Sequence, residues 1–246
     1  MEILITNDDG WGAKGIMTLT ALMRQFGHIT VVAPDGARSG MSNAVSATRP
    51  MTLHKVSSPE FPDIDLYLTN GTPSDCVKLA INVIYGGNDR GIDLLVSGIN
   101  HGSNGAVNVI YSGTMGACLV GSEHGIPSIG FSIYDMSPNP EFSHFERYIV
   151  ELTRHLLDIG IQPGLCYNIN APIGPIKGIK WTRQCRSHWE KEMKPTTLEN
   201  GETAYLLSGY LVNDEPEATD TDEWALTHGY VSVQPCSVDM TVYAAL

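Results

Sequence analysis

Asp8 and Asp9 are adjacent carboxylates that follow almost directly on a short apolar run, Ile3-Leu4-Ile5. Neighbouring carboxylates repel one another unless a cation or a proton relieves them. An uninterrupted apolar run of this length is typical of a strand buried on both faces of a parallel sheet. At its carboxyl end the pair occupies the position where open α/β sheets bind ligands. Asp9-Gly10 is also a hairpin signal. Ile16, Leu19, Leu22, Met23 and Phe26 have helical spacing, however, so a helix follows and not a returning strand. The chemistry such a pair supports is the holding of a cation.

Three further segments occupy the same position after a strand: Ala33-Pro34-Asp35-Gly36-Ala37-Arg38-Ser39-Gly40, Asn70-Gly71-Thr72-Pro73-Ser74-Asp75, and Val96-Ser97-Gly98-Ile99-Asn100-His101-Gly102-Ser103-Asn104. Singly, each reads as an ordinary βα loop. Together they surround one crevice with hard oxygen donors, which suit Mg²⁺, Mn²⁺ or Ca²⁺ better than zinc or copper. Tyr111-Ser112-Gly113-Thr114 opens a helix, where hydroxyls and free backbone amides can seat a phosphate. The same residues also suit plain N-capping. No GxxxxGK[ST] occurs, so the phosphate cradle of P-loop ATPases is missing.

These segments need a framework of alternating strands and helices. Ile3–Ile5, a helix over 16–26 with Gly27 as its C-cap, and Ile29–Ala33 form a βαβ unit. Strands follow at 66–68, 92–96, 128–132 and 166–169, with helices at 72–84, 112–124 and 145–160. The expected fold class is α/β: a Rossmann-like three-layer sandwich with a mostly parallel sheet over residues 1–175. From 176 to 246 the texture becomes β-rich, with pieces at 179–181, 205–207 and 230–233. Residues 190–223 carry ten acidic and two basic side chains. With Trp181, Trp189, Tyr205 and Tyr210 nearby, this stretch suits either a solvated excursion or an oligomerisation arm.

The whole chain of 246 residues has 15 basic and 27 acidic residues, a net charge of −12. That disfavours duplex nucleic acid and anionic membranes as partners. Five scattered cysteines form no CxxC and read as small buried hydrophobes. The start lacks a basic, apolar leader, and no apolar run approaches the ~20 residues that cross a bilayer, so the expectation is a cytoplasmic protein.

Asn7-Asp8-Asp9-Gly10, Ala33-Pro34-Asp35 with Ser39-Gly40, Asn70-Gly71-Thr72-Pro73, Ser97-Gly98-Ile99-Asn100 and Tyr111-Ser112-Gly113-Thr114 resemble the SurE (survival protein E) nucleotidases in identity, order and spacing. Thr221-Asp222 and Gly229 to Val233 resemble that family's C-terminal region. The resemblance implies a Rossmann-like core, one divalent cation, and hydrolysis of nucleoside 5′- and 3′-monophosphates, in some members with exopolyphosphatase activity. It implies Asp8, Asp9, Ser39 and Asn100 as metal ligands, with Asp8 and Asp9 catalytic. It also implies Asn104, Ser112, Gly113 and Thr114 at the phosphate, Asn43 in the substrate pocket, and a homodimer or homotetramer joined by C-terminal arms. Two departures stand out: Gly105-Ala106 replaces a residue followed by Gly, and Pro235-Cys236 replaces Pro-Leu.

Asp8 would orient or deprotonate water, or attack directly. His101 and His124 are candidate proton donors, although a solvated surface histidine is the simpler reading of each. Two other functions stay open. One is a metal-dependent nucleotide-binding module without turnover. The other is a nucleotide-sugar transferase, for which Asp63-Ile64-Asp65 supplies an Asp-x-Asp, though ahead of a strand.

Overall fold

The computed structural model describes residues 1–137 and 140–245. The first strand, β1 (Glu2–Thr6), is central, and α1 (Lys14–Met23) returns the chain to β2 (His28–Pro34), parallel to β1. β3 (Leu53–Val56) and β4 (Asp65–Thr69) extend this side, and α2 (Pro73–Leu79) then crosses the sheet. The chain returns at β5 (Leu94–His101), which pairs with β1 on the side opposite β2. α3 (Gly113–Glu123), β6 (Ser128–Ile133), α4 (Ser143–Ile159) and β7 (Leu165–Ala171) build outward from there. Strand growth therefore reverses between β1 and β5, and their carboxyl ends open the crevice where such sheets bind ligands.

Strand alternation divides the core. Ile3 and Ile5 face α1 and α4, packing with Ile16, Leu19, Phe145 and Leu152; Leu4 faces α2 and α3, packing with Val77, Met115 and Cys118. Helices on both faces of the sheet give the expected three layers. α2 starts with a capping box: Thr72 Oγ1 accepts the Asp75 N–H at 3.1 Å, and Asp75 Oδ2 accepts the Thr72 N–H at 2.9 Å.

Several local expectations change. Gly27 is not a C-cap, because α1 closes at Arg24, whose N–H reaches the Thr20 carbonyl. What demands glycine there is the neighbouring strand start: a Cβ on Gly27 would lie 2.0 Å from the Met1 carbonyl oxygen. Residues 97–101 are not a loop but the bulged end of β5, with the register against β6 shifting between Ser97 and Asn100. β3 is a short edge strand antiparallel to β4, with exposed His54 and Lys55.

The C-terminal stretch is not a separate layer. β13 (Tyr230–Ser237) lies antiparallel to β7, and β8 (Gly178–Trp181) is parallel to β13, so both complete the nine-stranded main sheet. Between them, β9 (Ser187–Glu190) pairs with β12 (Tyr210–Asn213), and β10 (Met193–Thr197) pairs with β11 (Thr203–Leu207), in two small antiparallel ribbons. A short helix, α5 (Asp222–Thr227), leads back into the sheet.

α1 meets the end of β5 at Gly15, where an added Cβ would lie 2.0 Å from the Ile99 carbonyl oxygen. Gly15→Ala should therefore lower stability by about 1–3 kcal/mol, the usual cost of overpacking. Chemical denaturation checks this, and an unchanged midpoint and slope would show that the helix is not packed so closely.

Candidate functional site

The loop after β1 is closed by Asn7, whose amide donates to the Gly10 carbonyl at 3.0 Å and accepts the Gly10 N–H at 3.2 Å. Gly10 takes a left-handed φ of +87°, a conformation that costs glycine little. This clasp sends the two carboxylates to different neighbours. Asp8 turns toward the amino-terminal end of α3, where its Oδ1 accepts the Thr114 hydroxyl at 2.7 Å. Gly113 makes room for it: a Cβ there would lie 2.9 Å from the Asp8 Cβ. Asp9 turns toward His101 at the end of β5.

Both carboxylates are costly to ionise. Asp8 is 4% exposed. Burial pushes its pKa up to about 6, the Asp9 charge adds to the rise, and the Thr114 hydroxyl opposes it. Burial also raises Asp9, against the lowering influence of His101. Asp9 Oδ2 and His101 Nε2 are buried without a hydrogen-bond partner among the described residues. His101 is therefore not the solvated surface histidine expected from sequence. His124 is at the far end of α3 with Nδ1 3.8 Å from Asp89 Oδ2, so it is not brought to the crevice.

Asn100 is buried, and its amide nitrogen donates to the Gly102 carbonyl at 2.7 Å, which fixes the orientation of its oxygen. Ser39 is exposed and adjoins Arg38, whose N–H donates to the Asp8 carbonyl at 2.6 Å. Asn104 is buried deeper, with its amide nitrogen on Ser132 Oγ at 2.8 Å and its N–H on Asn170 Oδ1 at 2.8 Å. Asn43 is exposed and packs against α3 at Gly116, where a Cβ would lie 2.8 Å from Asn43 Oδ1.

At the start of α3 the two hydroxyls are already engaged. Ser112 Oγ accepts the Met115 N–H at 3.0 Å as an N-cap, and Thr114 Oγ1 holds Asp8. Among the described residues, no hydrogen bond uses the Gly113 or Thr114 N–H. An anion at this helix end would thus meet those two amides more than the hydroxyls. Asp63 and Asp65 lie elsewhere: Asp63 pairs with Arg24 at 2.8 Å, and Asp65, opening β4, pairs with Lys55 at 2.6 Å. The Asp-x-Asp is therefore at the wrong end of the strand for this crevice.

A family model, Survival protein SurE, matches residues 3–191. The chain belongs to the SurE family. A 5′-nucleotidase SurE of Flavobacterium psychrophilum is 42% identical over 247 residues, covering 99% of this chain and 94% of the relative. That of Christiangramia forsetii is 44% identical over 244 residues, covering 98% and 92%. A 5′-nucleotidase SurE 1 of Thermus thermophilus is 36% identical over 246 residues, covering 100% and 95%. The crystal structure of SurE protein from Aquifex aeolicus superposes with a TM-score of 0.83 at 32% identity, covering 100% of this chain and 97% of that one.

In this SurE chain the crevice offers oxygen donors from Asp8, Asp9, Asn100 and the nearby Ser39. Its buried carboxylate oxygen on Asp9 lacks a partner among the described residues. That donor set fits a hard divalent cation. Asn7, which shapes the loop, and Thr114, which holds Asp8, act in ways that sequence reasoning missed. An Asn three residues before Gly was the available signal for the first.

The Asp8 shift makes a pH prediction for the metal-free protein. With its folded pKa raised from 3.8 to about 6, Asp8 favours the fold while protonated. That contribution is lost as pH rises from about 4 to 6, by roughly 3 kcal/mol. Asp8→Asn keeps an oxygen for Thr114 and has no proton to lose. Its stability advantage over the parent should grow across that window and level off above pH 7. Denaturation with chelator present checks this, and a difference independent of pH would contradict the buried, repelled carboxylate.

Proposed function

We propose that this protein is a phosphomonoesterase that hydrolyses nucleoside 5′- and 3′-monophosphates to nucleoside and phosphate, with exopolyphosphatase activity as a further reaction. The 5′-nucleotidase names of its full-length relatives support the reaction class. The observation that carries the mechanism is Asp8 held by Thr114 beside the free amides that open α3.

Asp8, Asp9, Ser39 and Asn100 would hold one divalent cation, Mg²⁺, Mn²⁺ or Ca²⁺, which when bound supplies positive charge against the phosphate and the carboxylate pair. The chain's own groups do the rest. The Gly113 and Thr114 amides bind non-bridging phosphate oxygens at the positive end of the helix. Thr114 fixes Asp8 Oδ1, so Oδ2 is the atom that orients the attacking water and takes its proton. Asn104 and Ser112 keep the ends of the β5–α3 connection in place. Asn43 borders the substrate from the loop packed on α3. His101, whose Nε2 is unpaired among the described residues, supplies the proton to the leaving oxygen.

The site is proposed to act in a cytoplasmic homodimer or homotetramer. Exposed Met193, Tyr205, Leu206, Leu207 and Tyr210 on the C-terminal ribbons support association through that region. No described helix is long and apolar enough to cross a membrane.

Phosphate release from nucleoside monophosphates should stop on chelation and return with Mn²⁺ or Mg²⁺. Asp8→Asn should fold yet lose at least ~100-fold in kcat, as removal of a positioned acid–base group does. Binding of nucleotide without release would replace this reading with a non-catalytic module, and near-parental kcat in Asp8→Asn would refute the role of that residue.

A further inference from the structure

The connection from β5 to α3 joins two parts of the proposed site. It begins at Gly102, whose carbonyl orients Asn100, and it ends at Ser112, the cap of α3. Its first part is held from within the core sheet, through Asn104 on Ser132 and Asn170. Its last part meets the 39–47 loop, where Ser42 Oγ donates to the Ile110 carbonyl at 2.7 Å and the Ser42 N–H to the Tyr111 carbonyl at 3.0 Å.

The middle of the connection, a single 3₁₀ turn over Ala106–Ile110, is held by the C-terminal region. Asp222 is fully buried and accepts three backbone N–H groups: Ala106 at 2.8 Å on Oδ2, with Cys185 at 2.9 Å and Glu223 at 2.8 Å on Oδ1. Ser187 Oγ accepts the Val107 N–H at 3.1 Å. Trp189 Nε1 donates to Asn108 Oδ1 at 2.9 Å. Three successive residues of the turn are thus each fixed by a different residue beyond position 180. Ala106 also sits at φ +54°, a left-handed conformation that a non-glycine residue adopts only when held.

We propose that Asp222, Ser187 and Trp189 are positioning residues of the active site, clamping the turn that sets Asn100 and the amino-terminal end of α3 relative to one another. This rests on the nucleotidase reading for its consequence in catalysis, while the clamp itself is a property of the fold. A buried carboxylate taking two long-range N–H groups is costly to place unless what it holds needs holding. The arm ribbon formed by β9 and β12 is therefore not only a contact surface. Its base, at Ser187 and Trp189, is built into the rear wall of the site.

Two variants test the clamp. Asp222→Asn keeps the shape but substitutes an N–H₂ for one accepting oxygen. Trp189→Phe keeps an aromatic ring and removes one donor, and it serves if the first variant folds poorly. Hydrogen exchange of the Ala106 amide should quicken about tenfold or more in Asp222→Asn, because its acceptor is weakened, and that of Ala106 and Val107 in Trp189→Phe, because the turn that carries them opens more often once its Asn108 tie is lost. With a nucleoside monophosphate, kcat should fall about tenfold, more than KM rises, because misplaced groups cost most in the transition state. Trp189→Phe combined with Asn108→Ala should be no worse than the more severe single variant.

Unchanged exchange in folded Trp189→Phe would overturn the proposal. So would a lowered thermal midpoint with unaltered kcat well below it, or full additivity in the double variant. Lack of turnover by the parent protein would instead overturn the nucleotidase reading, and the exchange result would still decide the clamp.

Discussion

Carboxylates on consecutive residues repel, and removal from water makes each harder to ionise. Asp8 and Asp9 bear both costs at the end of the central strand. Much of the surrounding structure makes sense as a response. The Asn7 clasp turns the two side chains to different walls of the crevice. The positive end of α3 comes over Asp8, and Gly113 lets it come close. Thr114 takes one Asp8 oxygen, but nothing among the described residues takes Asp9 Oδ2. The hydrogen bonds within the protein leave the pair incompletely compensated, which is the electrostatic condition a cation site requires.

The parts of the fold dominated by local pattern were legible from the chain. Buried strands read as apolar runs, and the long helices as 3.6-residue periodicity. What escaped was set by tertiary partners. Gly27 looks like a helix cap until the Met1 carbonyl beside it is known. Ser97 to Asn100, with a glycine and polar ends, reads as a loop because a bulge leaves no periodic signature. The short ribbons and α5 lack length, and β13 gives no sign that it will lie antiparallel to β7 and admit β8 beyond it.

The site was legible in its residue types and less so in their employment. The carboxylate pair and the start of α3 do meet in one crevice. Yet Ser112 and Thr114, expected to face a phosphate, spend their hydroxyls on a cap and on Asp8. His101 and His124 part company: His101 stands beside Asp9 at the end of β5, while His124 closes the far end of α3. Ala106 shows how a departure from a family pattern is absorbed. It takes a left-handed conformation that costs an alanine about 1 kcal/mol, and the bond from its N–H to Asp222 offsets that strain. Asp222 itself could not be placed in advance, because its partners lie 116 and 37 residues away.

On the proposed reading, the charge of Asp8 and Asp9 is tolerated because a divalent cation joins them. The most direct measurement is the thermal midpoint of the parent protein at pH 7.5, followed while Mn²⁺ or Mg²⁺ is titrated into chelator-treated protein, beside Asp9→Asn. Cation binding to the folded state should raise the midpoint with the logarithm of concentration. The gain at a hundredfold excess over Kd is about 2.7 kcal/mol, roughly 5–10 °C for a chain of this size. Asp9→Asn should lose most of that response. A midpoint that ignores the cation to millimolar concentration, or an equal rise in both proteins, would contradict the claim.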